Sequence, residues 1–199
     1  MKLTILNPLS AALIAGLFSV AACVPRPPPP TVETKVIETP TGAEVIETIQ
    51  ITGAVAGINY DTRQLVVLGP GGRELTYKVD KNAINFDQIK VRDLVKATIT
   101  ERLAVNLSKD KAPPSVGAAA TVVLAPKGAA PGGIVASTSE VTAKVTSVDA
   151  KARKVTLQFV DGSTDTVKVG KAIDLSKVSP GDSVTARLSE SIAIAVEKT

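Results

Sequence analysis

The side chains with chemical reach in this chain are few, and most are carboxylates. Glu101 and Glu190 stand at matching points of two similar stretches. One stretch alternates through Val95, Ala97, Ile99, Glu101, Leu103 and Val105, and the other through Val184, Ala186, Leu188, Glu190, Ile192 and Ile194. Alternation of this kind puts each set on one side of an extended strand. If the strand simply continues, each Glu points into a core, where an unpaired carboxylate is costly and a ligand or proton would be its natural partner. One strand spanning the whole alternation would be long. The sequence therefore favours a turn at Thr100-Glu101-Arg102 and at Ser189-Glu190-Ser191, or a bend with the Glu bonded to nearby amides. Either leaves the carboxylate exposed.

Asp93 and Asp182 precede the apolar runs and read as turn residues that bond their own backbone. A calcium loop needs several oxygen ligands at close spacing, and Asp80, Asp87 and Asp93 are too spread out to supply them. No metal site and no cofactor are expected. The chain has no His, one Cys and one Met. It therefore lacks Ser-His-Asp and Cys-His catalysis, imidazole metal sites, disulfides and soft-metal ligand sets. One carboxylate per stretch is also far from paired acid–base chemistry. The expectation is a protein that is not an enzyme.

Nucleic acid is not an expected partner either. Single-strand binding needs aromatic platforms in a basic groove. Beyond the N-terminal segment the aromatics are Tyr60, Tyr77, Phe86 and Phe159, of which Tyr77, Phe86 and Phe159 fall on predicted core positions. The formal net charge of +4 comes from bases interleaved with acids, which is ordinary surface solvation.

An internal repeat positions the two glutamates. Ile51 through Val79 aligns with Val141 through Val169 at an offset of about 90 residues, and after one extra residue near Asn82 the register continues past Glu101 and Glu190. Each copy reads as short alternating strands, such as Val141, Ala143, Val145 and then Val155, Leu157, Phe159. Turns are marked by Asp149 to Ala152, by Asp161-Gly162 and by Ser179-Pro180-Gly181-Asp182. Ile173 to Val178, matched by Ile84 to Ile89, is long enough for one helical turn only. Three meandering strands, a helical turn and two more strands is the order of an OB-like barrel.

The segment Val178-Ser179-Pro180-Gly181-Asp182-Ser183-Val184 resembles one found before the fourth strand in small β-barrel domains of unknown function in bacterial envelope proteins. In the first copy, Ile89-Lys90-Val91-Arg92-Asp93-Leu94-Val95 carries Arg92 where the glycine falls. The expected fold class is all-β: two tandem small five-stranded OB-like barrels, with SH3-like closure as the main alternative, after a signal peptide and a Pro-rich tether.

The N-terminus supplies an address. Lys2 is followed by an apolar run from Leu9 to Ala22, which fits a secretory signal. At about 1.5 Å per residue it falls short of a hydrocarbon core of about 30 Å. Val20-Ala21-Ala22-Cys23 resembles a bacterial lipobox, which implies cleavage before Cys23 and acylation of that cysteine; two or more acyl chains anchor a protein stably. Val24 rather than Asp after the cysteine resembles the pattern exported to the outer membrane of Gram-negative bacteria. Pro25-Arg26-Pro27-Pro28-Pro29-Pro30 then favours stiff polyproline II. Val36-Ile37-Glu38-Thr39 and Val45-Ile46-Glu47-Thr48 repeat one tetrapeptide around Pro40-Thr41-Gly42, suggesting two strands around a turn or an arm with one strand.

The expected organisation is signal peptide 1–22, lipidated Cys23 and tether 23–44, repeat one 45–107, an Ala/Gly/Pro-rich linker 108–139, and repeat two 140–199. Within the linker, Thr121 to Leu124 is a candidate edge strand for the first barrel. The expected function is a non-enzymatic, lipid-anchored envelope module at the outer membrane, facing the periplasm. It would touch the membrane through Cys23 and bind a protein or cell-wall partner. The alternative is a small-ligand or ion-binding module using Glu101 and Glu190, one per barrel.

Overall fold

A computed structural model of the chain describes residues 26–199. The expected signal segment and lipobox, with Cys23, lie outside the described residues. The rest is all-β, as the alternation predicts, and contains ten strands. In chain order they are β1 (Thr31–Thr39), β2 (Gly42–Asn59), β3 (Gln64–Leu68), β4 (Glu74–Lys78), β5 (Leu94–Ser108), β6 (Ser115–Leu124), β7 (Gly132–Asp149), β8 (Lys154–Gln158), β9 (Thr164–Lys168) and β10 (Ser183–Glu197). Single 3-10 turns at Phe86–Gln88 and Leu175–Lys177 occupy the predicted helical-turn positions.

The strands do not form two separate closed barrels. They make one open antiparallel sheet in the order β4-β3-β2-β5-β10-β7-β8-β9, with β1 added to β2 and β6 added to β7. The physical reason lies in strand length. β5 and β10 run unbroken for 15 residues each, through the positions where the sequence favours turns. Each therefore leaves its own copy and ends in the other. The two pair along their whole length, from Leu94↔Glu197 to Ser108↔Ser183.

Two small cores result, one at each end of the sheet. The first joins Val55, Leu65, Val67, Phe86 and Ile89 of copy one to Val196 from the end of β10. The second joins Ala143, Val145, Val155, Leu157, Leu175 and Val178, with Leu107 from the end of β5 packed against it. Each core is thus completed by the other copy's last strand. A reciprocal pair of ion bridges marks the same exchange. Lys109, just past β5, bonds the Asp182 carboxylate at 2.6 Å, and Lys198, just past β10, bonds that of Asp93 at 2.7 Å. Each ammonium also donates to a backbone carbonyl in the other copy's 3-10 turn, Lys177 O and Gln88 O respectively.

The duplication extends to local irregularities. Register shifts occur between Val55 and Gly57 and between Val145 and Ser147, where bulges of this kind sharpen strand twist and help each end curl. Arg63 and Arg153 both adopt left-handed backbone angles, φ 54 and φ 53. The Arg63 guanidinium donates to Val79 O, Asp80 O and Ala83 O, and Arg153 donates to Val169 O, Gly170 O and Ile173 O. A glycine opens both long strands that flank the centre. A Cβ on Gly132 would come within 2.5 Å of Ile194 O, and one on Gly42 would overlap Val105 O.

Of the two arrangements expected for the repeated tetrapeptide the hairpin is found, and two further expectations change. Val36 pairs with Val45 in a β1–β2 hairpin turned by Pro40-Thr41, so both tetrapeptides form strands. The candidate edge strand at Thr121 to Leu124 belongs to a longer β6, which pairs with β7 of the second copy and not with the first. Tyr77, a predicted core residue, is 50% exposed because β4 is an outermost strand with no neighbour closing over it. Phe86 is buried and Phe159 half-buried.

Candidate functional site

The middle of the sheet is a six-stranded section in the order β1-β2-β5-β10-β7-β6. Its registers place Thr34, Glu47, Glu101, Glu190, Ser137 and Ala120 in one row across the strands. Directly opposed residues on antiparallel strands share a face and lie about 5 Å apart. Glu101 and Glu190 are therefore neighbours on one surface, and not the centres of two separate sites. Glu47 is the third member of the row, and the sequence reading missed it because nothing in local alternation says that β2 and β5 align at that register.

Parity with the core residues is as the sequence implies, and the two carboxylates are exposed as its favoured reading expects, though on continuous strands and not at turns. Val95 and Val196 at one end, and Leu107 and Val184 at the other, lie on the same face as the glutamates and pack into the two cores. Between the cores that face is uncovered. Glu47, Glu101 and Glu190 are exposed because the sheet centre lies outside both curled ends. Among described residues no ion pair involves any of the three; Glu190 Oε2 accepts one hydrogen bond from Ser137 Oγ at 3.4 Å.

The surface around the row is apolar. Ile49, Ile99, Leu103, Leu188 and Ile192 flank it on the three central strands, and Val36 on β1 and Val122 on β6 extend it to both edges at 59% and 63% exposure. The opposite face is polar. It carries Thr98, Thr100, Thr138 and Ser189, and the ion pairs Arg102–Glu44 at 3.1 Å and Arg187–Glu140 at 2.5 Å. In this section only Val123 and Ile134 are exposed large apolar residues on the polar side. The sheet centre is thus amphipathic, with its apolar side facing solvent, a pattern that marks interaction surfaces.

Asp93 and Asp182 act as the turn residues the sequence suggests. They are 4% exposed and accept from Lys90 N and Ser179 N, each at 2.8 Å. Sequence reasoning missed their lysine partners, which come from the other copy. The hydrogen bond from Lys109, followed by that from the Ser179 amide, holds the Asp182 carboxyl below its ordinary value.

Among the described residues no three carboxylate, His or Cys side chains converge as a metal site. Two depressions among the described residues, about 400 and 500 Å³, are open to solvent and lie beside Arg63–Asp80 and beside Ala125–Ile194. No helix of the described residues is long and apolar enough to cross a membrane. Comparison of the chain with protein-family models, with curated proteins and with solved structures finds no match.

Proposed function

We propose that this chain is a non-enzymatic envelope lipoprotein that acts as a tethered binding module for a protein or cell-wall partner. In this reading Cys23 is acylated, the Pro-rich segment lifts the sheet off the outer membrane into the periplasm, and the curled ends are two OB-like half-barrels that share strands. The observation that carries the binding role is the exposed apolar face between the two cores. A face of this kind costs solubility unless something covers it. The alternative, a small-ligand or ion site in each barrel, has less support, because Glu101 and Glu190 lie side by side on an open surface.

The test has two parts. Acylation is read by radiolabelled palmitate incorporation into the full-length chain, expected to vanish with Cys23→Ser. Binding is read by chemical crosslinking in the cells that make the protein, followed by mass spectrometry. One dominant envelope component crosslinked to the chain is the expected result. No specific component, or palmitate labelling indifferent to Cys23, would overturn the reading.

A further inference from the structure

The apolar face carries a charge pattern that selects among its occupants. Its acids are Glu47, Glu101 and Glu190 in the central row and Glu38 towards the β1 end. Among the described residues of these six strands no Lys or Arg lies on that face: Lys35, Lys96, Arg102 and Arg187 all have the opposite parity, and Lys109 and Lys198, just past the strand ends, are bonded to Asp182 and Asp93. Six strands at about 4.8 Å, by about nine residues at 3.4 Å, give a face of roughly 880 Å², close to the ~800 Å² per partner of a standard interface.

Three occupants compete for a face of this size. A second copy packed face to face would stack six central carboxylates with no cation between them, which is repulsive in a dehydrated interface. An anionic lipid surface meets the same repulsion, and an acyl interior would have to desolvate the charges outright. A protein surface that is apolar with Lys or Arg at its centre satisfies both features, burying the aliphatic side chains and neutralising the row.

We infer that the face between the two cores docks a basic, apolar protein surface, with Glu47, Glu101 and Glu190 as the complementary charges. The inference rests on the binding-module reading and names the chemistry of its partner. The glutamates set orientation and partner choice, while Val36, Leu103, Val122 and Ile192 supply the buried area.

The test is site-specific photocrosslinking of the full-length chain in its own cells. The photoreactive residue replaces Leu103 or Ile192 on the apolar face, and Thr100 on the polar face as control. The expected result is one protein adduct from Leu103 and Ile192 only, with Lys or Arg within a few residues of the crosslinked atom. Its yield falls at least tenfold in the Glu47→Gln, Glu101→Gln, Glu190→Gln triple variant. Thermal unfolding of that variant must show a midpoint no lower than that of the unsubstituted chain, so that lost crosslinking is not lost folding. An adduct with a second copy of the chain, an adduct with lipid only, or a protein adduct whose yield ignores the glutamates would each overturn the inference. A partner that crosslinks to the full-length chain generally but never from this face would overturn it while leaving the binding-module reading intact. Failure to find a partner by either method would overturn both.

Discussion

Glu101 and Glu190 are Cα partners at the midpoint of the β5–β10 pair, and they are equivalent residues of the two copies. The pseudo-twofold axis of the protein therefore passes between two like charges. Directly opposed like charges destabilise a sheet, so this pair opposes the fold it centres. The double variant Glu101→Gln, Glu190→Gln is expected to be more stable than the unsubstituted chain by about 0.5–1 kcal/mol. The gain should shrink in 1 M salt, where exposed charges are screened. Denaturant unfolding at low and high salt checks both. A residue pair that lowers stability yet is needed for crosslinking would separate binding from folding.

The exchange of strand ends makes each core depend on the other copy. A chain cut between the copies, near residue 111, leaves copy one without Val196 and Lys198 and copy two without Leu107 and Lys109. Neither half is expected to fold as a monomer. Each should be unfolded or form a symmetric dimer that rebuilds the β5–β10 pairing with its own kind, and mixing the halves should restore the native far-UV spectrum. Sedimentation velocity and circular dichroism on the separate and mixed halves distinguish these outcomes.

Arg92 and Gly181 occupy equivalent turns, with φ 81 and φ 96. Glycine enters this region freely, whereas a side chain costs about 1–2 kcal/mol there. Arg92→Gly is expected to raise the stability of the whole unit by about 1 kcal/mol, and Gly181→Ala to lower it by a similar amount. Thermal melts of both variants read the sign directly.

Arg63 and Arg153 make matching sets of hydrogen bonds, but only Arg63 also stacks on an aromatic ring, 4.6 Å from the Phe86 centroid. Copy two has Leu175 at the corresponding place in its core. Arg63→Ala should therefore cost about 0.5–1 kcal/mol more than Arg153→Ala, and Phe86→Leu should abolish the difference. Lysine should rescue neither, since one ammonium cannot reproduce the planar fork.

Acid stability follows from Asp182. Its carboxyl is held below the ordinary value by Lys109 and the Ser179 amide, so it favours the fold while ionised. That contribution is present above about pH 4, the unfolded value, and is lost as pH falls through the lower folded value. Asp182→Asn should lower the melting temperature at pH 7 and narrow the gap to the unsubstituted chain near pH 3. Lys109→Ala should behave alike, because it removes the first cause of the shift.

Much of the fold is legible in the residues. Alternation finds the strands, Asp161-Gly162 and Pro40-Thr41 mark their turns, and the repeat announces two copies. What alternation cannot give is which strands pair across the copies. The unbroken passage of β5 and β10 through Glu101 and Glu190 depends on partners on both sides, Glu47 and Ser137 among them. The pairing of β6 was equally hidden: it takes the place on β7 that β1 takes on β2, yet beyond Val36-Ile37 and Val122-Val123 the two strands have little sequence in common. The glutamates were visible as oddities in an apolar parity, but their common surface appears only once the strands are in register.

Whether the apolar face is covered in the cell is the measurement that tests the account most directly. Cys23 is the one cysteine in the chain, and acylation would remove it from thiol chemistry, so a cysteine placed at Leu103 reports on the face alone. A maleimide should label that cysteine rapidly in the purified protein and at least tenfold more slowly in intact envelopes, while a Thr100→Cys control on the polar face labels alike in both. Equal labelling of the Leu103 position in envelopes and in purified protein would contradict the claim that this surface has a partner.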